Sequence, residues 1–229
     1  MPIFIASPAQ RCGTTLLQRL LSSAPKTLIF GETVANDLHL FASLYQNKEL
    51  MLNGPHNVWR DQQLKAVLKG EVNDWIPDLM PDREQYLSNF KETLLHYCNF
   101  YQSYVEEQGR EQWGCKMPGW PILQLSFLLK QLPDAKVLYI ERPLEECVVS
   151  ARTINMCLDE QSTQQFRHFY THNQSHAHQQ LPADRTLFID YQTLCDQPTE
   201  VIAELESFAG TSPIDPSVMQ HKIANYQQG

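Results

Sequence analysis

The sequence predicts an α/β fold in which a mainly parallel sheet carries helices on both faces. Short apolar runs alternate along the chain with segments of helical periodicity, and this alternation is typical of parallel strands joined by right-handed helical crossovers. The chain has 229 residues, of which 42% are apolar, and this is enough for one well-packed core. We therefore expect a single domain over residues 1–229.

Strands are predicted at residues 2–6, 27–30, 112–116, 135–140 and 185–190, and the first two of these segments are short apolar runs typical of buried strands. Helices are predicted from Leu16, over 121–132, from Leu144 to about 156 and over 201–208, where Gly210 follows as a C-cap. Between the second and third strands, residues 33–112 are amphipathic and helical over a length too great for a loop. These residues are predicted to form a helical insertion.

The composition argues against several classes of function. Lys and Arg number 18 against 26 Asp and Glu, and the resulting net charge of −8 disfavours nucleic acid or an anionic membrane as a partner. No apolar stretch is long enough to span a bilayer, and residues 1–10 lack the pattern of a signal peptide. The six cysteines are scattered without a CxxC pair, so we expect free thiols in a reducing cytoplasm.

An anion-binding loop is predicted directly after the first strand. The segment Arg11-Cys12-Gly13-Thr14-Thr15 joins a buried strand to an amphipathic helix, a setting in which backbone N–H groups and the helix N-terminus bind phosphate. It is not the GxxxxGK[ST] loop of nucleotide kinases, because Pro8 and Thr14 stand where that pattern has Gly and Lys. An ordinary strand-to-helix turn capped by Thr14 is the alternative interpretation.

A second anion site is predicted where the fourth strand ends. Arg142 follows this strand, Pro143 opens the next helix, and Ser150 lies eight residues beyond Arg142. Ligands of parallel sheets bind at the carboxyl ends of the strands, so Arg11 and Arg142 should lie on one rim. Alternatively, Arg142 pairs with one of the carboxylates in the first turn of the helix, Glu145 or Glu146.

Three ordered segments resemble motifs of the PAPS-dependent sulfotransferases, where PAPS is 3′-phosphoadenosine-5′-phosphosulfate. Residues 8–17 resemble the family's 5′-phosphosulfate loop, and residues 137–150 are similar to its 3′-phosphate motif, with serine eight residues after arginine. Residues 187–194, followed by Pro198 and Phe208-Ala209-Gly210, resemble its YEDL…P…FLG segment. Order and spacing agree over most of the chain.

The resemblance implies a P-loop NTPase-like three-layer fold and PAPS as cosubstrate, with PAP (3′-phosphoadenosine 5′-phosphate) as product. By this resemblance the 5′-phosphosulfate is held by Arg11, Cys12, Gly13, Thr14 and Thr15. Arg142 and Ser150 would hold the 3′-phosphate, and Tyr191 would contact adenine. Two elements of many cytosolic members are missing, a lysine in the first loop and a C-terminal RKG element, and Lys222 is the only late lysine.

The resemblance also implies the catalytic groups for sulfuryl transfer to an acceptor hydroxyl. Glu32 lies in Phe30-Gly31-Glu32-Thr33, which resembles the GE(E)T element of tyrosylprotein and bacterial sulfotransferases, and would act as general base. Lys116 looks like the family's strand-end K-x-P lysine, which with Arg11 would stabilise the leaving oxygen. Pro118 stands where small-molecule members have a histidine base. Otherwise, Glu32 is a helix N-terminal or surface carboxylate and Lys116 is a solvated lysine.

Other functions remain open from the residues alone. A P-loop kinase that uses ATP and a non-catalytic nucleotide-binding protein could share this scaffold. His168, His172 and His176 recur every four residues, as on one stripe of a helix, and this stripe is either a transition-metal site or, as we expect, a polar face. We predict no metal, and the pattern specifies neither the class of hydroxyl acceptor nor the oligomeric state.

Overall fold

A computed structural model of the chain describes residues 1–54, 57–73 and 75–221. Its centre is a five-stranded sheet in the order β2-β3-β1-β4-β5, and every pair of neighbouring strands is parallel. The strands are β1 Ile3–Ser7, β2 Thr27–Phe30, β3 Gln112–Pro118, β4 Lys136–Glu141 and β5 Thr186–Asp190. All five predicted strands are therefore confirmed, with β3 extended by two residues beyond its predicted end.

The helices that connect and cover the strands are α1 Thr14–Ser23, α2 Glu32–Leu52, α3 Asn57–Leu68, α4 Arg83–Glu107, α5 Ile122–Gln131, α6 Leu144–Arg152, α7 Glu160–Gln180, α8 Tyr191–Asp196 and α9 Pro198–Ala209. Short 3-10 helices follow at Ala183–Arg185 and Pro216–Gln220. Gly210 is the left-handed C-cap of α9, as predicted. The predicted end of α6 near residue 156 is wrong, because the chain turns after Arg152 and Asn155 adopts a positive φ of 59°.

The sheet separates two apolar cores. Alternate residues of a strand point to opposite faces, so Phe4 of β1 packs with Trp113 and Trp120 on one face, while Ile3 and Ile5 pack on the other. The first face is covered by α2, α4 and α5, and the second by α1 and α9. This three-layer arrangement leaves the carboxyl ends of the strands free to carry polar loops.

Gly114 allows the two central strands to approach closely. It is paired with Ile3 on one side and Ile29 on the other, and an added Cβ would overlap the Ile3 carbonyl oxygen and lie 2.6 Å from Ile29 Cδ1. We expect Gly114→Ala to cost about 1–3 kcal/mol and to lower Tm by roughly 2–12 °C, as thermal unfolding would show. Gly54→Ala is the control, because its Cβ makes only an ordinary contact with Met51 O. An unchanged Tm for Gly114→Ala would contradict the close approach.

Helices α2, α3 and α4 lie between β2 and β3 in the chain, where the helical insertion is predicted. Helix α2 packs against α4, β3 and α5, and the Tyr97 hydroxyl of α4 donates a 2.5 Å hydrogen bond to Asp37 of α2. In the parts of the chain that the structure describes, no helix is both long and apolar enough to cross a membrane. Helix α2 begins at Glu32, so the insertion starts at the predicted catalytic carboxylate.

Candidate active site

The carboxyl ends of the strands surround a cavity of about 480 Å³. Every predicted site residue except Cys12 lines it, so the structure brings together Arg11, Gly13, Thr14, Thr15, Glu32, Lys116, Arg142, Ser150 and Tyr191. These side chains follow different strands, and only the parallel topology makes them neighbours. Gln10, Pro118, Ile154 and Met156 complete the lining.

The loop after β1 is bent by two residues in left-handed conformations. Arg11 has a φ of 72° and Gly13 a φ of 106°, and a Cβ at Gly13 would lie 2.6 Å from the ring of Tyr191. Gly13 is the N-cap of α1, with no side-chain cap, so the predicted alternative of a turn capped by Thr14 is wrong. The first N–H groups of α1 therefore have no capping side chain and can serve an anion.

Arg11 connects this loop directly to α6. Its Nε donates a 3.0 Å hydrogen bond to Oγ of Ser150. The resemblance had assigned these two residues to opposite ends of a nucleotide, yet the structure places them in contact. The two predicted anion sites are thus adjacent parts of one cavity.

Arg142 is held by three groups around it. One terminal nitrogen lies 3.4 Å from the Arg11 carbonyl oxygen, Nε donates a 2.9 Å hydrogen bond to Glu146, and the guanidinium lies 4.7 Å from the ring centroid of Tyr191. The alternative interpretation of an Arg142–carboxylate pair is therefore correct, although Arg142 lines the cavity as well. Burial raises the pKa of Tyr191, so its phenol is protonated at neutral pH. Lys222 lies outside the described residues.

Lys116 and Glu32 form an ion pair at the other end of the cavity. Nζ of Lys116 lies 2.6 Å from Oε1 of Glu32 and donates a 3.2 Å hydrogen bond to Oγ1 of Thr15. Lys116 is only 8% exposed, which excludes a solvated lysine, whereas the Glu32 side chain is 58% exposed. An ammonium group has three donors, so one N–H of Lys116 remains for a ligand oxygen. Glu32 is also the first residue of α2, a position favoured for carboxylates.

The side chain of Cys12 points beneath the loop. It is fully buried, with its sulfur 3.5 Å from that of Cys147 on α6. The hydrogen bond between the two thiols lowers the pKa of Cys12 and raises the pKa of Cys147. Cys12 can therefore contribute its backbone to the loop, while its thiol packs in the apolar cluster under it.

The three histidines line a separate groove of about 720 Å³ beside α5 and α7. The rings of His172 and His176 lie 4.0 Å apart, and Nδ1 of His176 is 2.8 Å from the carbonyl oxygen of His172. Within the described residues, no group of three or more His, Cys, Asp or Glu side chains is arranged to hold a metal ion. His168 and His172 are exposed and His176 is half-buried, so the stripe forms a polar face of α7.

Comparison with known proteins identifies the family. The model of the Sulfotransferase family matches residues 2–216. This chain belongs to the sulfotransferase family. Sulfotransfer is therefore its general activity, and a hydroxyl or similar group is its acceptor, as predicted. No curated protein matches the sequence.

Solved sulfotransferase structures share the fold. The sulfotransferase domain of the Synechococcus PCC 7002 olefin synthase is 18% identical, with a TM-score of 0.55 over 97% of this chain and 83% of that one. The sulfotransferase domain from the curacin biosynthetic pathway is 18% identical, with a TM-score of 0.57 over 100% and 79%. A sulfotransferase from Alicyclobacillus acidocaldarius is 16% identical, with a TM-score of 0.53 over 98% and 87%. The predicted P-loop NTPase-like α/β fold of this sulfotransferase is thereby confirmed.

Some residues of the cavity had no signal in the sequence. Ile154 and Met156 follow α6 in a turn that carries no motif. The one signal for Gln10 is its position next to Arg11 in the loop after β1. The spacing of four residues predicts that Glu146 can pair with Arg142, and the structure contains this ion pair. The spacing gives no sign that Arg142 also lines a cavity.

Proposed function

We propose that this sulfotransferase moves a sulfuryl group from PAPS to an acceptor hydroxyl, with Glu32 as general base. The observation that carries the proposal is the clustering of three cations, Arg11, Lys116 and Arg142, around one cavity of a chain with a net charge of −8. Such clustering is expected where a ligand carries several negative charges. The cavity volume also falls in the range of small-molecule sites, roughly 300–1,000 Å³.

The nucleotide would be held at both ends. Arg11, Thr14, Thr15 and the backbone of Cys12 and Gly13 would hold the 5′-phosphosulfate, since bent loops at helix N-termini bind anions. Arg142 and Ser150 would hold the 3′-phosphate. The phenol of Tyr191 stacks on the Arg142 guanidinium and is available to adenine at the same rim.

Sulfuryl transfer would proceed in line. The acceptor oxygen forms a bond to sulfur while the bond from sulfur to the bridging oxygen of PAPS breaks, and PAP leaves. The acceptor proton passes to Glu32, and Lys116 and Arg11 neutralise charge on the departing phosphate oxygen. The support for these roles is that Lys116 lies between the loop and Glu32, touching Thr15 and the carboxylate.

The helical insertion would shape the acceptor side. Glu32 opens α2, so a hydroxyl that delivers its proton to this carboxylate must approach beside the first turn of that helix. The insertion and the nucleotide loops together would make a single functional domain over residues 1–229.

A labelled-transfer assay tests the proposal. Sulfur-labelled PAPS is incubated with the protein and a panel of phenols, sugars and tyrosine peptides, and parallel reactions contain γ-labelled ATP. We expect label to reach at least one hydroxyl acceptor from PAPS and none from ATP. Transfer only from ATP would support a kinase, and PAP binding without transfer to any acceptor would support a non-catalytic protein. Either result would overturn the proposal.

A further inference from the structure

Two buried polar side chains of helix α7 donate hydrogen bonds to three loops of the active site. The hydroxyl of Tyr170 donates a 2.6 Å hydrogen bond to the carbonyl oxygen of Arg142. One turn later, Nδ2 of Asn173 donates to the carbonyl oxygens of Pro8, at 3.2 Å, and Trp120, at 3.1 Å. Pro8 begins the loop that contains Arg11, and Trp120 lies in the turn after the strand that carries Lys116.

These contacts are built into the interior rather than the surface. Tyr170 is 3% exposed and Asn173 is 4% exposed. A buried carbonyl without a donor costs free energy, so the loops of Pro8 and Trp120 gain by staying where Asn173 supplies their donor. The Arg142 carbonyl is partly buried and also lies 3.7 Å from the Cys147 sulfur, and Tyr170 gives it the shorter of its two hydrogen bonds. The two N–H groups of the Asn173 amide are both used, so one side chain fixes two loops relative to each other.

The Tyr170 hydroxyl is suited to this role as a donor. Burial raises its pKa, so the phenol keeps its proton at neutral pH. The carbonyl that it holds belongs to Arg142 itself, whose guanidinium lines the cavity. A shift of this carbonyl would move the backbone from which the arginine side chain extends.

We propose that Tyr170 and Asn173 are positioning residues for the nucleotide site. Tyr170 sets the location of Arg142 and therefore acts on recognition of the 3′-phosphate. Asn173 sets the spacing between the Arg11 loop and the strand end of Lys116, and so acts on the 5′ end of the ligand. This division of roles rests on the proposed function, because it assumes a nucleotide with a 3′-phosphate.

Titration of purified variants with PAP and with AMP, which lacks the 3′-phosphate, tests the proposal. In Tyr170→Phe only the hydroxyl is lost, and we expect the preference for PAP over AMP to fall about 2–10-fold, with AMP affinity nearly unchanged. Tyr97→Phe is the matched control, because it removes a phenol hydrogen bond to Asp37 on α2. It should reduce stability without changing the preference.

For Asn173, the expected signature is different. Asn173→Ala should weaken the affinities for PAP and for AMP by the same factor. If the alanine variant folds poorly, Asn173→Ser is titrated as well; serine keeps one donor, so part of both affinities should be restored. If the wild-type protein prefers PAP to AMP and Tyr170→Phe keeps the same preference, the positioning role of Tyr170 is overturned, whereas the proposed nucleotide is not. A wild-type protein with no preference for PAP would overturn the proposed nucleotide itself and the positioning role with it.

Discussion

Replacing Glu32 with Gln is expected to lower kcat for sulfuryl transfer by roughly 10²–10⁴-fold, the usual contribution of a general base. The amide has nearly the same shape as the carboxylate, and its oxygen can still accept the hydrogen bond that Lys116 donates to Oε1. It cannot accept a proton at neutral pH. Because Glu32 is not proposed to touch the nucleotide, the Kd for PAP should stay within about threefold of wild type.

Steady-state transfer of the labelled sulfuryl group from PAPS measures kcat, and isothermal titration with PAP measures Kd, so the two effects are separated. Glu49→Gln is the matched control, since it removes an exposed carboxylate from the same helix. A wild-type kcat in Glu32→Gln would exclude Glu32 as the base. A loss of PAP affinity as large as the loss in kcat would instead make Glu32 part of the binding site.

Arg142→Met is expected to weaken PAP binding by about 10–100-fold, as for the loss of one or two charge-assisted hydrogen bonds. Methionine is similar in length but carries no charge, so it also loses the cation–π contact that the Arg142 guanidinium makes with the ring of Tyr191. AMP has no 3′-phosphate, and its affinity should change by less than about threefold. Competition titrations with both nucleotides on the same preparation measure the two effects.

Glu146→Gln provides the control for charge at this position. It removes the carboxylate that lies 2.9 Å from Arg142 Nε, so the guanidinium becomes freer for a phosphate and PAP affinity should be unchanged or higher. An equal loss of affinity for PAP and AMP in Arg142→Met would contradict the role of Arg142 at the 3′-phosphate. An equal loss of PAP affinity in Glu32→Gln and Arg142→Met would contradict the assignment of Glu32 to catalysis and of Arg142 to nucleotide binding.

The central strands β1, β3 and β4 were predictable because they are buried on both faces over most of their length. Residues 137–140 of β4 are apolar without interruption, and this pattern identifies a strand of a parallel sheet without any tertiary information. The position of the cavity was predictable as well, since Arg11 lies in the loop after β1 and Arg142 directly follows β4, and these strands are neighbours in the sheet. The end of α6 was less predictable, because helix boundaries depend on local turns such as the one at Asn155.

Other features depend on contacts between distant segments. Local sequence has no signal for the Arg11–Ser150 hydrogen bond, which joins residues 139 positions apart. The burial of Tyr170 and Asn173 was equally hidden, since α7 is rich in Gln and His and its inward polar residues, which also include Thr163, resemble the outward ones. The sequence also could not show that Lys116 is buried, because a lysine at a strand end is more often solvated.

The central claim is that one cavity holds a nucleotide by both its 5′ and its 3′ phosphates. Titration of the wild-type protein with PAP and with AMP tests it most directly, because the two ligands differ only in the 3′-phosphate. The arginine and serine at that end should make PAP bind at least about tenfold more tightly than AMP. Equal affinity for PAP and AMP would contradict the claim.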